Sequence, residues 1–337
     1  MASIYRGISK DFYHTQYERG GYLFYSIGGI SLVKEGEATG MQKHYGSSLM
    51  QRHDEDLANV TLGYNFSRAP GVTSINTDYN NLGQIYYQRG TSTFVGGTST
   101  SDGNGIFVQE FNGQDSASYS GRVAQGLRFK KSYFYFGDDI VLLASGISNN
   151  SSNNDVETGL LQEAVSAGEN EFSFANNVTT NASNYDAIYS STDVPWMFNN
   201  SQNVGLYLMP NQNYKLFKGS QTFGSLTGDV VSTYLTHDSQ TEGWYEYIMR
   251  LNTSKTEMQT LDSNMKSSTP DYEVLRRDEK AHIVRSENHN STGYAIFDNT
   301  DLVLPEGSLK TADKQCVVML QEKDGDMNLS ISYPDKK

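Results

Sequence analysis

At 337 residues, with 36% hydrophobic and 12% aromatic side chains, the chain is long and apolar enough to bury a sizeable core. Its net charge of −13 argues against a partner held by its phosphate backbone, so no nucleic acid is expected. The single cysteine, Cys316, excludes a disulfide framework or a cysteine-based zinc cluster, and no window approaches the roughly 18 apolar residues of a membrane span.

The elements follow as short aromatic and β-branched runs between turns rich in Gly, Asn, Ser and Thr, a pattern of strands rather than helices. Met1-Ala2-Ser3-Ile4-Tyr5-Arg6-Gly7 has no signal-peptide apolar region, so the protein is either cytoplasmic or an internal piece whose export signal lies elsewhere. The polar ending Tyr333-Pro334-Asp335-Lys336-Lys337 fits the second reading. Gly20-Gly21 opens Tyr22–Ile27, Gly28-Gly29 turns the chain, and Ile30–Val33 continues it, a hairpin signal. The strongest hairpin joins Lys131–Phe136 to Ile140–Ile147 through Gly137-Asp138-Asp139, with one face of each run expected to be buried. Further strands are read at 205–209, 244–249, 282–284, 293–297 and 329–332, and polar loops at 148–154 and 176–184. Ser254 and Glu257 form a capping box, and Met258, Leu261 and Met265 then share a face, predicting one short helix against a sheet. Gln315–Leu320 reads as a buried strand holding Cys316 as an inert core thiol. Pro305-Glu306-Gly307 and its charged neighbours suggest a linker near 300–314. Without a fixed-period repeat, the whole favours a layered all-β sandwich.

Familiar catalytic motifs are missing: there is no Gly-x-Ser-x-Gly, His-Glu-x-x-His or phosphate loop. The six histidines are scattered without metal spacing, and a surface or structural role is favoured for each. His53-Asp54-Glu55-Asp56 reads as a solvated turn, so neither a metal nor a cofactor is expected. In Arg68-Ala69-Pro70-Gly71-Val72-Thr73, Pro70 fixes φ and Gly71 permits a sharp turn into an extended run.

Tyr64–Thr73 resembles the aromatic-rich turn ending in Pro-Gly-Thr-Thr of polysaccharide lyase family 8, and Lys131–Ile147 resembles that family's signature hairpin. Val156-Glu157-Thr158-Gly159-Leu160-Leu161-Gln162, Trp244–Tyr247, Tyr272–Asp278 and Gly293–Phe297 follow in the family's order, nearest to the chondroitin ABC type. The resemblance implies a large antiparallel β-supersandwich, galactose mutarotase-like, with one short helix; the expected division is 1–300 for the supersandwich and 301–337 for a linker and the start of a truncated C-terminal β-domain. It also implies β-elimination on an acidic polysaccharide, the partner expected here, at an extracellular or periplasmic location. In the family the catalytic Tyr, His, Asn and Arg come from an N-terminal α/α toroid that this sequence lacks, so the chain alone is expected to be inactive. Glu35 or Glu37 lies about where a supporting supersandwich glutamate should be, and Arg68 is a candidate substrate contact. The rival reading is a non-catalytic carbohydrate-binding or structural β-sandwich module.

Overall fold

A computed structural model describes residues 2–6, 12–19, 22–29 and 45–51 as backbone, together with 63–76, 92, 94–113, 126–137, 139–149, 155–165, 171–223, 226–237, 242–304 and 307–334. The first strands are β1 (Ala2–Arg6), β2 (Phe12–Arg19), β3 (Tyr22–Gly29) and β4 (Tyr45–Gln51). Next come β5 (Thr73–Ile75), β6 (Val95–Ser99), β7 (Gly105–Asn112), β8 (Arg128–Phe136) and β9 (Asp139–Ser148). β10 (Val156–Ala164), β11 (Phe172–Phe174), β12 (Thr179–Thr180), β13 (Tyr185–Ser190) and β14 (Trp196–Asn199) follow. β15 (Val204–Leu208), β16 (Asn213–Phe223), β17 (Leu226–His237) and β18 (Gly243–Arg250) lead to helix α1 (Lys255–Met265). After it lie β19 (Glu273–Arg277), β20 (Ala281–Ser286), β21 (Ser291–Ile296), β22 (Cys316–Lys323) and β23 (Asp326–Ser332).

Every pairing among them is antiparallel. β1 to β4 form one sheet in sequence order; the others are a five-stranded sheet β13-β16-β17-β10-β5, a nine-stranded sheet β12-β11-β14-β15-β18-β9-β8-β7-β6, and a five-stranded sheet β19 to β23. The nine-stranded sheet is the middle layer. Tyr133, Tyr135, Ile140, Leu142, Tyr245 and Tyr247 point from it into a core shared with the first five-stranded sheet. Phe134, Phe136, Val141, Leu143 and Ile248 point the other way, into a core closed by α1 and the last sheet. This is the all-β layered sandwich that the residue pattern predicts.

The predicted hairpin is present, with Phe136 opposite Asp139 and Phe134 opposite Val141. Both faces of each strand are buried, not one. A strand between two cores has no polar face to display, which is why these runs are continuously apolar instead of alternating. The N-terminal hairpin differs from its expectation too. β3 runs through Gly28-Gly29, which pair with Tyr13 and Phe12, so the chain does not turn there.

Ser254 caps α1 by accepting the Glu257 amide, and Met258 and Leu261 are buried with Met265 partly so. The return half of the capping box goes elsewhere, since the Glu257 carboxylate accepts from the Thr253 hydroxyl. Val317 to Leu320 are buried as expected, but Cys316 at the strand's start is only partly covered. Burial still pushes its thiol pKa up. Among the described residues no helix is long and apolar enough to cross a membrane.

Candidate functional site: the Arg68 face

Ala69-Pro70-Gly71-Val72 is a tight turn closed by the Val72 amide donating to the Ala69 carbonyl, with Gly71 at φ 76°. Proline at the second position and a glycine at positive φ in the third make it type II. Upstream, the Asn65 side chain accepts the Ser67 amide, and its carbonyl accepts the Arg68 amide. Gln162 holds this loop from β10: its amide group accepts from the Asn65 N–H and donates to the Asn65 carbonyl.

β5 then pairs with β10, setting Thr73 opposite Thr158 and Ser74 opposite Glu157. The Gly71 amide donates to the Gly159 carbonyl at 2.7 Å, and the Gly159 amide returns a bond to Val72. A Cβ on Gly159 would lie 2.2 Å from the Arg68 carbonyl oxygen, so the contact requires glycine. Buried Lys131 donates to the Gly71 carbonyl at 2.5 Å, and Thr158 bonds both Thr73 and His237.

The turn delivers Arg68 to Glu157. Its Nε and a terminal nitrogen reach the two carboxylate oxygens at 2.6 and 3.0 Å, and Asn76 donates to the same carboxylate. The guanidinium lies 4.0 Å over the ring of Tyr234. Burial opposes the charge on Arg68, but the bonds and charge of Glu157 outweigh it and hold its pKa above the ordinary value. Tyr234 is pushed up, by burial first, and is therefore a neutral phenol at neutral pH. Lys215, directly across from Tyr234, is raised by its bond to Asp186 at 2.9 Å. Tyr214 and Leu235 alternate with these residues into the core, so Lys215 and Tyr234 point away from it. The result is an outward patch on which two ion pairs, Arg68–Glu157 and Lys215–Asp186, flank a tyrosine.

Glu35 and Glu37 lie outside the described residues, as does the 53–56 turn. His282 is fully buried and His237 nearly so, with an edge on a small hollow at the end of β17; both are neutral, each lowered to about 3 mainly by desolvation. His282 bridges Ser132 at 2.7 Å and Ser145 at 2.8 Å. Since Ser145 gives its proton to the Asp278 carbonyl, it accepts from His282 Nε2, and Nδ1 accepts from Ser132. Among the described residues no group of three or more His, Cys, Asp or Glu could hold a metal ion. Glu157, Lys215 and Tyr234 were not singled out as site partners by sequence. The Val-Glu-Thr segment was a partial signal, but its pairing with Arg68 spans 89 residues.

Residues 31–262 match the family model for the super-sandwich domain of polysaccharide lyase family 8. The chain belongs to this family. Residues 273–337 match the model of the family 8 C-terminal β-sandwich domain. The first match ends inside α1 and the second begins with β19, and the 300–314 segment lies between β21 and β22 within the second. The chondroitin sulfate ABC exolyase of Bacteroides thetaiotaomicron is 27% identical over 289 residues, covering 81% of this chain and 26% of that enzyme. The Proteus vulgaris enzyme of the same name is 25% identical over 289 residues, covering 81% and 27%. The chain thus spans about a quarter of the length of these curated relatives. The structure of Paenibacillus xanthan lyase shares the fold, at 18% identity and a TM-score of 0.71, over 95% of this chain and 31% of that one. Within this family 8 chain, the fold brings the Arg68 turn and the Glu157 strand into direct contact.

Proposed function

We propose that this chain is the β-sheet portion of a glycosaminoglycan lyase that cleaves chondroitin- or hyaluronan-type polymers by β-elimination outside the cell or in the periplasm. The family 8 match over residues 31–262 carries the reading. Elimination needs the uronate carboxylate neutralised, the C5 proton removed and the leaving oxygen protonated, all in one place. The Arg68 patch supports the first requirement: beside Tyr234 the half-open Lys215–Asp186 pair can exchange Asp186 for a uronate carboxylate next to Arg68. Arg68 then touches substrate, and Glu35 or Glu37 supplies a supporting carboxylate. The base and acid come from an α/α toroid, so the chain alone binds weakly and does not turn over. His237 and His282, neutral and buried, fit that division of labour.

Two measurements test this. The purified chain mixed with chondroitin or hyaluronan should produce no ultraviolet-absorbing unsaturated uronate. In a gel containing either polymer its migration should be retarded, less so for Lys215→Ala. Turnover by the chain alone, abolished by changing His237 or Tyr45, would overturn the reading, as would migration indifferent to polymer.

A further inference from the structure

The protein has two tryptophans, and they are placed differently. Trp196 is 1% exposed in the core below α1, whereas Trp244, at the start of β18, is partly open. Trp244 stands between two hollows that share Trp244, Gly243 and Glu242 as a common wall. One, of about 520 Å³, lies toward the edge of the last sheet. The other, of about 230 Å³, is lined by the ends of β16 and β17, with Asn211, Asn213 and Thr236 around it.

The larger hollow carries three cations against four carboxylates. Its cations are committed: Arg276 to Asp278 at 2.8 Å, Arg277 to Glu246 at 2.6 Å while lying 4.0 Å over the Trp244 ring, and Lys280 to the Thr300 carbonyl. Glu242 and Asp301 remain exposed beside them. Such a wall offers little to a sulfate or a uronate. The smaller hollow is different in kind, with an indole, exposed amides of Asn211 and Asn213, the Thr236 hydroxyl and the Glu242 carboxylate. Gln212 beneath them is rigidly used, donating to the Met209 and Glu246 carbonyls and accepting the Glu246 amide. That clamp fixes the Asn211–Asn213 corner against β18.

We infer that the cleft at Trp244 is a binding site for an uncharged sugar residue, a hexose or N-acetylhexosamine, adjoining the Arg68 patch, since Thr236 on its wall lies directly opposite Glu157. The apolar C–H face of a pyranose stacks on an aromatic ring, and its hydroxyls pair with planar amides and carboxylates that both give and take hydrogen bonds. The site does not depend on lyase chemistry. In an acidic polymer of alternating sugars it would hold the neutral residue next to the uronate at the Arg68 patch, a placement that rests on the proposed function.

The test uses the whole chain and N,N′-diacetylchitobiose, a neutral disaccharide, beside an oligogalacturonate of similar size. Because Trp196 is buried, a fluorescence change on titration reports Trp244. Expected are saturable binding of the neutral sugar that is unchanged by salt, and at least tenfold weaker binding by Trp244→Ala, measured by calorimetry. Asn213→Ala and Glu242→Gln, at exposed positions, should each weaken it severalfold without moving the thermal midpoint, which keeps the test valid should Trp244→Ala misfold. No binding of the neutral sugar, binding of the oligogalacturonate alone, or binding indifferent to Asn213 and Glu242 would overturn the inference. None of these outcomes bears on turnover of chondroitin or on the effect of Lys215→Ala on gel retardation, which read the lyase assignment.

Discussion

Acidifying the protein from about pH 7.5 to about pH 5 is expected to lower its unfolding free energy by roughly 4 kcal/mol, about 2 kcal/mol from each of His237 and His282. Both imidazoles are buried, His237 with an edge on a hollow, and held at about 3 against an ordinary 6.5. Burial is the main cause for each; the charge of Lys131 adds to it at His237, and that of Arg277 at His282. Released by unfolding, each ring takes up a proton once the pH falls below 6.5, while the folded ring stays neutral down to about 3. The unfolded state thus binds more protons across that window, so this stability is complete above it and lost progressively as the pH falls. At about pH 5 a free imidazole is roughly 1.5 pH units below its midpoint, and each unit is worth about 1.36 kcal/mol. His289, half-buried and also lowered by desolvation, acts in the same direction. Asp102, Asp278 and Asp298 are held below the ordinary carboxylate range, so their contribution fades only at lower pH than this window. Urea titrations followed by circular dichroism across the range measure the slope. His282→Gln, which can still bond both serines, should remove about half of it. A midpoint unchanged between about pH 7.5 and about pH 5 at constant m would mean the folded rings accept protons, and the reasoning would fail.

Phe134→Ala should cost roughly 3–5 kcal/mol in chemical denaturation, because its ring is fully buried and packs over Gly293 of the last sheet. An unmoved midpoint would place that ring outside the core. Arg68→Met should destabilise by about 3 kcal/mol, since Glu157, 4% exposed, loses its main counter-charge. The double variant Arg68→Met/Glu157→Met should recover part of that loss, and a double variant no more stable than the single one would show the pair to be incidental.

Most strands that were legible in the sequence are uniformly buried, although the run 329–332 was legible in the largely exposed β23. β8, β9, β15, β18 and β21 are buried on both faces or nearly so, and their apolar runs stand out against polar turns. β16 and β17 form the longest hairpin yet were not read as strands. Their outward faces carry lysine, serine, threonine and tyrosine, which blur the period-two signal. The turn at Arg68 was readable because Pro70 and Gly71 each restrict the backbone locally. Its partner was not, because Glu157 is brought to it by sheet order, and sheet order is set by how the layers bury their faces. The same limit applies at Trp244: nothing in Trp244–Tyr247 says that Arg277 will lie over the indole.

The three layers explain why polar ties recur where the cores meet. Apolar faces alone tolerate sliding, since one buried methyl group serves nearly as well as another. A buried polar group does not, because each lost hydrogen bond leaves a desolvated atom unpaired. His282 on β20 bonds Ser132 on β8 and Ser145 on β9, which locks the last sheet to the middle one at a single register. Asp139 does the same at the other end of β9, accepting two bonds from Arg250 on β18 and one from Tyr272 just before β19. On the opposite side, Thr158 ties β10 to the Thr73 turn and to His237 at the end of β17. Each tie joins segments far apart in sequence, and several carry the residues by which the family is recognised. Those residues are therefore read best as register pins of the layered fold, with chemistry left to the surface patches that the pinned layers hold in place.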